Sequence, residues 1–273
     1  MKRLVVTADD FGLSQEVNEA VRRAYREGIL TCASLMVGAP AADNAVTMAK
    51  AEGLPVGLHL TLVDGRPVLP PERVPDLVDD RGAFRAGLGG AAARLALSQR
   101  ARRQAWAECE AQIAAFLATG LSLDHLNAHH HFHLHPSVLA IVVELARRHR
   151  VPAVRVPFEP VVPPYRSALL AATVVPWSLR ARHRLRRAGI ATNDALFGLY
   201  DTESMTEAAW LRIVPRIRSG LTEVYCHPAE APSPSARELA ALMSPIVKAA
   251  LDAAGIHRTS FAAAADRNEE GNR

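Results

Sequence analysis

Short apolar runs recur along the chain, each stopped by polar residues or glycine and each followed by a stretch of helical period. RLVVTA (3–8) ends at Asp9, Asp10 and Gly12, and Ser14 then precedes Val17, Ala20, Val21, Ala24 and Tyr25, closed by Gly28. That pattern predicts a strand, a loop and a capped helix. ILTCASLMVG (29–38) predicts a buried strand, ADNAVTMAKAEG (42–53) a helix and LPVGLHLTLV (54–63) a third apolar strand. Residues 99–119 carry Trp106, Cys109, Ile113, Phe116 and Leu117 on one helical stripe, and LSLDHLNAHH (121–130) returns as a strand. Pro136 suits the first turn of a helix running to about Arg148. The short strand AVRV (153–156), the strand LTEVYCH (221–227) and a helix over roughly 235–254 complete the pattern.

Strands alternating with helices imply an α/β fold with a parallel sheet, open or closed into a barrel. Residues 64–98, rich in Pro and Gly, and residues 157–205 lack a sustained period and read as irregular insertions in one domain spanning 1–273. Ligands in such folds bind outside the carboxyl ends of the strands. Asp9 and Asp10 follow the first strand, His59 sits near the end of the third, His129 follows LDHLN and His227 follows TEVYC. The alternation therefore brings sequence-distant polar residues to one rim.

Composition narrows the picture. With 49% hydrophobic residues, 273 residues can bury a full core. Cys32, Cys109 and Cys226 are odd in number and far apart, which predicts a reducing, cytoplasmic setting and no thiolate zinc site. The apolar run at the N-terminus is too short for a signal peptide, and no later segment offers the ~20 apolar residues of a membrane span. Net charge is only +4, yet 166–187 holds many arginines and no acid. Such a segment is either a solvated helix face or a contact for anionic lipid or phosphate. Aromatics make up 5% and are not interleaved with a basic stripe, so no nucleic-acid partner is expected. GxSxG, Walker and dinucleotide loops are missing, which removes serine hydrolases, P-loop enzymes and Rossmann folds.

Two adjacent acids are costly to bury, because like charge and desolvation both raise their pKa values. A metal relieves both costs, with one carboxylate ligating while its neighbour takes a proton from water; the alternative is a helix N-terminus enriched in acid. NAHHHFHLHP (127–136) packs five of the eleven histidines into seven positions. A strand period would place His129, His131, His133 and His135 on one face, with His130, Phe132 and Leu134 on the other. Catalytic zinc takes three protein ligands and leaves room for water, so Asp10, His59 and one histidine of this run would complete a site. The remaining histidines become supports behind the ligands, substrate contacts or surface. His227, opening HPAE, reads as a proton shuttle or as a helix-entry histidine.

TADDFG, GLHLTL, HLNAHHHFHLHP and EVYCHPAE, in that order over residues 1 to about 261, resemble the YdjC-like family of carbohydrate deacetylases. The resemblance implies a distorted (β/α) barrel and metal-dependent removal of acetyl from an N-acetylated amino sugar. It implies that Asp10, His59 and His129 hold a divalent ion, that Asp9 is the base and that His227 protonates the leaving amine. His131, His133 and Arg155 are expected to bind substrate or to support the site from behind. Ala128 and Ala229 stand where the family often has Ser and Gly. Two imidazoles and a carboxylate suit zinc better than magnesium, although the family implies magnesium as well.

WSLRARHRLRRAGIATNDALFGL resembles the branch associated with hopanoid biosynthesis. That implies an N-acetylglucosaminyl lipid substrate and a place for 166–187 at the inner membrane surface, with a homo-oligomer compatible. The competing readings are a deacetylase of soluble chitooligosaccharides such as diacetylchitobiose, a metal-dependent phosphoesterase, a non-catalytic sugar or lipid binder, and a metal-storage protein. The two insertions are placed to act as lids.

Overall fold

Alternating side chains along seven parallel strands decide the architecture. In a computed structural model of the chain, which describes residues 1–160 and 168–270, the strands are β1 (Lys2–Phe11), β2 (Cys32–Leu35), β3 (Val56–Leu60), β4 (Leu123–Ala128), β5 (Ala195–Phe197), β6 (Gly220–Cys226) and β7 (Ile256–Arg258). They lie in the order β4-β3-β2-β1-β6-β5. β7 pairs with the start of β1 (Lys2↔Ile256), and β2 takes the same edge further along (Thr7↔Cys32). Residues 153 and 154 form single bridges, Leu126↔Val154 and Ala153↔Ala191, and these carry the curl from β4 towards β5. The result is a distorted barrel with a thinly bridged seam.

The helices are α1 (Gln15–Glu27), α2 (Ala42–Glu52), α3 (Leu88–Leu97), α4 (Gln99–Ala118), α5 (Pro136–Arg148), α6 (Ala168–Arg187), α7 (Glu207–Ile213), α8 (Ala236–Leu242), α9 (Pro245–Ala253) and α10 (Phe261–Glu270). Side-chain oxygens start several of them. Ser14 accepts from Val17 N, Ser98 from Ala101 N and Thr206 from Ala209 N, each satisfying an amide that the first turn leaves unpaired.

Alternation then sorts the strand residues into two layers. Leu4, Val6, Leu35, Leu58, Leu126 and Val224 belong to the large apolar core that the helices cover. Val5, Cys32, Ala153 and Leu221 instead gather with Phe261 and Ala264 of α10 in a separate small cluster. α10 thus plugs the barrel at the end where the strands begin. Further along the same inward register come Thr7, Ser34, Arg155 and Glu223, then Asp9, His59 and Asn127, all buried. A polar interior of this kind persists only if its groups are hydrogen-bonded to one another.

Several expectations are corrected. The first insertion, 64–98, contains α3, and the second, 157–205, contains α6 and β5; residues 161–167 of the latter, with 166 and 167 of the basic segment, lie outside the described residues. The buried face of α6 includes Ser178, Ala181 and Leu185, a helical spacing written in small residues that a hydrophobic count passes over. The helix expected over 235–254 is two helices, because Ser244 caps a new start at Pro245. AVRV contributes bridges rather than a continuous strand.

Candidate active site

A regular strand would send Asp9 and Asp10 to opposite faces. Here the pairing of β1 with β2 slips between Ala8 and Phe11, and Asp10 takes a left-handed backbone (φ 60°). This bulge turns both carboxylates into the barrel mouth. Asp9 accepts two hydrogen bonds from Arg155, Nη1 to Oδ2 at 2.5 Å and Nη2 to Oδ1 at 3.0 Å, and a third from Asn127 Nδ2 at 3.0 Å. Burial works against its charge, but the Arg155 guanidinium, with His59 and His227 nearby, holds the carboxyl well below the usual range. Arg155 is 0% exposed and is held on both sides: it also donates to Glu223 Oε1 from Nε (2.9 Å) and Nη2 (2.6 Å), and its guanidinium lies 5.0 Å from the centre of the Tyr225 ring. Arg155, buried from solvent, braces Asp9 from behind.

Asp10 has different company. Its Oδ1 lies 3.0 Å from His129 Nδ1 and 3.3 Å from His59 Nε2, and those two nitrogens are 3.3 Å apart. Buried Asp10 Oδ1 nevertheless accepts no well-directed hydrogen bond. Burial opposes its charge, while the two imidazoles hold its pKa well below the usual value. Asn127 Oδ1 sits 2.6 Å from His59 Nδ1, which leaves Nε2 to face Asp10 and His129. Three donors converge, one imidazole already oriented from behind, as a divalent ion requires. Charge points the same way. The buried group of Asp9, Asp10 and Glu223 against Arg155 carries three carboxylates and one guanidinium, a formal −2 that a doubly charged ion balances.

The histidine run does not follow strand alternation. His129–Leu134 is a tight helical turn interrupted by left-handed His130 (φ 52°) and His131 (φ 54°), so successive imidazoles leave in different directions. His129 joins Asp10. His130 is exposed and meets Asp64 at 3.1 Å. His131 lines the cleft, its Nε2 3.3 Å from the Tyr225 hydroxyl. His133 is buried, and its Nε2 donates to the Arg155 carbonyl at 2.9 Å; burial lowers its pKa to about 4, so it stays neutral. His135 caps α5, accepting from Ser137 N. His131 therefore forms part of the cleft wall, whereas His133 pins the chain that carries Arg155.

His227 follows β6. Its backbone N donates to Glu238 Oε2 at 2.5 Å while Glu238 Oε1 accepts from Met205 N, so α8 fixes the turn. The His227 ring stands edge-on to Tyr225 at 5.5 Å, and the Tyr225 hydroxyl lies 2.9 Å from Thr202 Oγ1. Asp9, Asp10, His59, His129 and His227 all line one cleft of about 480 Å³, with Ala229 beside them. Sequence reasoning missed Asn127, Glu223, Tyr225 and Glu238. The first three were within reach: His125, Asn127 and His129 alternate in LDHLNAH, as Glu223, Tyr225 and His227 do in TEVYCH.

These features define a class: distorted (β/α) barrels with an Asp-His-His donor set and a second carboxylate at the carboxyl rim of the strands. Within it, this chain belongs to the YdjC-like protein family, whose profile matches residues 3–253. It is 34% identical over 229 residues to a carbohydrate deacetylase of Brevibacillus brevis, covering 83% of this chain and 81% of the relative. A carbohydrate deacetylase of Geobacillus stearothermophilus is 33% identical over 270 residues, 94% and 96% of the two chains. A crystal structure from Enterococcus faecalis V583, named for cellobiose-phosphate cleavage, superposes with a TM-score of 0.75 at 25% identity, covering 95% of this chain and 97% of that one. Among the described residues, no helix is long and apolar enough to cross a membrane.

Proposed function

We propose that the protein is a metal-dependent N-deacetylase that hydrolyses the acetamide of an N-acetylated amino sugar to a free amine and acetate. The observation that carries this reading is the Asp10, His59 and His129 donor set beside an ionised, doubly anchored Asp9 in one cleft. The deacetylase names of the bacterial relatives support the reaction class.

Two imidazoles and one carboxylate favour zinc over magnesium, which prefers oxygen ligands and keeps its water. A bound ion supplies Lewis acidity to the acetamide oxygen and lowers the pKa of a water. The chain's own residues do the rest. Asp10, His59 and His129 hold the ion, and Asn127 keeps His59 with Nε2 free. Asp9, fixed by Arg155 and Asn127, accepts the proton of the attacking water; its pKa makes it a weak base, so it works by position on an acidified water. His227 donates a proton to the departing amine nitrogen. In Asp9→Asn, zinc binding is retained while turnover drops by about 10³-fold. A variant within tenfold of the wild-type rate overturns the role of Asp9 as base.

The finer reading is a lipid-linked sugar, N-acetylglucosaminyl hopanoid. Its support is the cleft mouth, where Leu13 (46% exposed) and Leu88 (40% exposed) face a polar floor, an arrangement suited to an amphiphile. Of the five arginines of α6, Arg180 is exposed near Trp177 and Leu179, and the other four are engaged elsewhere. Arg182 lies over the Phe158 ring, Arg186 pairs with Asp194, and Arg184 and Arg187 line a groove with Arg147 near the end where the strands begin. Membrane contact at the cytoplasmic face then runs through the apolar rim, and the three buried free thiols fit that compartment. Acetate release from the hopanoid-linked sugar and from diacetylchitobiose decides between lipid and soluble substrates. Equal kcat/KM values would remove the lipid preference and leave the chitooligosaccharide reading.

A further inference from the structure

Below the candidate metal ligands, a line of buried polar groups crosses the barrel interior, and none of them reaches the cleft. Asp124 accepts from Phe261 N (3.2 Å) and Ala262 N (3.0 Å) at the start of α10, and lies 2.9 Å from His125 Nδ1. His125 Nε2 is 3.0 Å from Ser34 Oγ, and Ser34 Oγ is 2.8 Å from Asn127 Nδ2. The same amide nitrogen reaches Asp9 Oδ1, and Asn127 Oδ1 reaches His59 Nδ1. His125, Ser34 and Asn127 are 0% exposed.

Counting donors and acceptors leaves this line one polarity. Burial opposes the charge of Asp124, but the His125 hydrogen bond and the α10 amides outweigh it and keep the carboxyl below its usual pKa. A carboxylate only accepts, so His125 carries its proton on Nδ1. In the neutral ring Nε2 is then an acceptor, and the Ser34 hydroxyl must donate to it. Ser34 Oγ in turn accepts one proton of the Asn127 amide, whose other proton goes to Asp9. The Asn127 carbonyl is left to accept from His59 Nδ1–H, and His59 Nε2 is left bare towards Asp10 and His129. The opposite polarity would set an N–H against the site that the ion needs.

The fold makes room for this line. A Cβ on Gly57, two residues before His59 in β3, would lie 2.5 Å from the His125 ring, and Phe261 packs with its ring centre 4.8 Å from that of His125. Apolar side chains would fill such an interior at lower cost, since a half-satisfied polar network is worse than none. We propose that Asp124, His125 and Ser34 are positioning residues that carry a fixed hydrogen-bond polarity from the start of α10 through Asn127 to His59, setting the tautomer in which His59 presents Nε2 to the ion. This rests on the reading of Asp10, His59 and His129 as the donor set.

The test uses the whole chain with ¹⁵N-labelled histidine, free of metal and at alkaline pH, so that side-chain nitrogen shifts report each tautomer. The wild type is expected to show Nδ1–H at both His125 and His59. Asp124→Asn keeps the shape but can donate to His125 Nδ1, so His125 moves to Nε2–H and His59 loses its single tautomer. Ser34→Ala cuts the line while leaving Asp124 and the α10 amides intact, and loosens His59 alone. In both variants zinc affinity by calorimetry falls about 10–100-fold, and kcat drops with KM nearly unchanged. Ser34→Thr, which keeps the hydroxyl, restores affinity. Should Asp124→Asn fail to fold, Ser34→Ala carries the test. Folded variants whose His59 keeps one Nδ1–H tautomer and wild-type zinc affinity overturn the proposal, whatever their melting temperatures. If the wild type binds no zinc, the metal reading fails, while the nitrogen shifts still judge the line.

Discussion

Asp9 and Asp10 are chain neighbours with opposite needs. Asp9 is neutralised by a guanidinium that is itself 0% exposed, whereas the partners of Asp10 among the described residues are imidazoles. Arg155 also serves Glu223, so losing its charge strands two buried carboxylates. Arg155→Met is therefore expected to destabilise the protein by about 3–5 kcal/mol, the usual result of removing one partner of a buried ion pair. Urea denaturation measures it, and a loss below about 1 kcal/mol would mean that water reaches the pair. Arg155→Lys keeps a charge but cannot hold both oxygens of Asp9 in a planar fork. It is expected to fold, with kcat reduced more than about tenfold because Asp9 is no longer aimed.

The segments around the cleft raise a different question at the level of elements. Glu159 is buried, and its Oε2 accepts from Leu199 N at 2.7 Å and Tyr200 N at 3.3 Å, which ties it to the cleft wall. Burial, with some help from Asp201, lifts its pKa from 4.5 to about 7. The folded value lies above the unfolded one, so between pH 4.5 and about 7 the native state holds a proton that the unfolded chain has released. Stability falls as pH rises through that window, and the penalty is complete above it, at most about 3 kcal/mol. Glu159→Gln should gain on the wild type steadily from pH 4.5 to 7 and then level off in paired thermal melts. A pH-independent gap would contradict the burial argument. How much of the fold could be read beforehand follows similar physics. Strand ends were legible at Asp9, His129 and His227, where apolar runs stop at residues that the barrel delivers to its rim, whereas His59 lies inside a run that continues to Val63. α6 was not, since Ser178 and Ala181 carry part of its buried face, and α3 was not, since Leu95 is its one buried residue. The histidine turn escaped because left-handed backbone at His130 and His131 leaves no mark in a hydrophobic period. Ser244-Pro245, by contrast, was a readable helix start.

For the molecule as a whole, the barrel interior is a gradient, sealed by α10 and apolar residues at one end and increasingly charged towards the other. The formal −2 near the mouth means that the metal-free protein carries repulsion that a divalent ion removes. An ion held only by the folded arrangement of donors from β1, β3 and the turn after β4 would add its binding energy to folding stability. At zinc concentrations about 1,000 times Kd this amounts to about 4 kcal/mol, or about 10 °C in a chain of this size. Chelation should therefore lower the melting temperature by that order, and zinc should restore it. Asp10→Asn removes a ligand and some of the repulsion together, so it should melt above the metal-free wild type and show almost no response to zinc. Asp9→Asn should keep the response. A wild type that melts at the same temperature with zinc and with chelator would remove the charge balance as the reason for this cluster of acids.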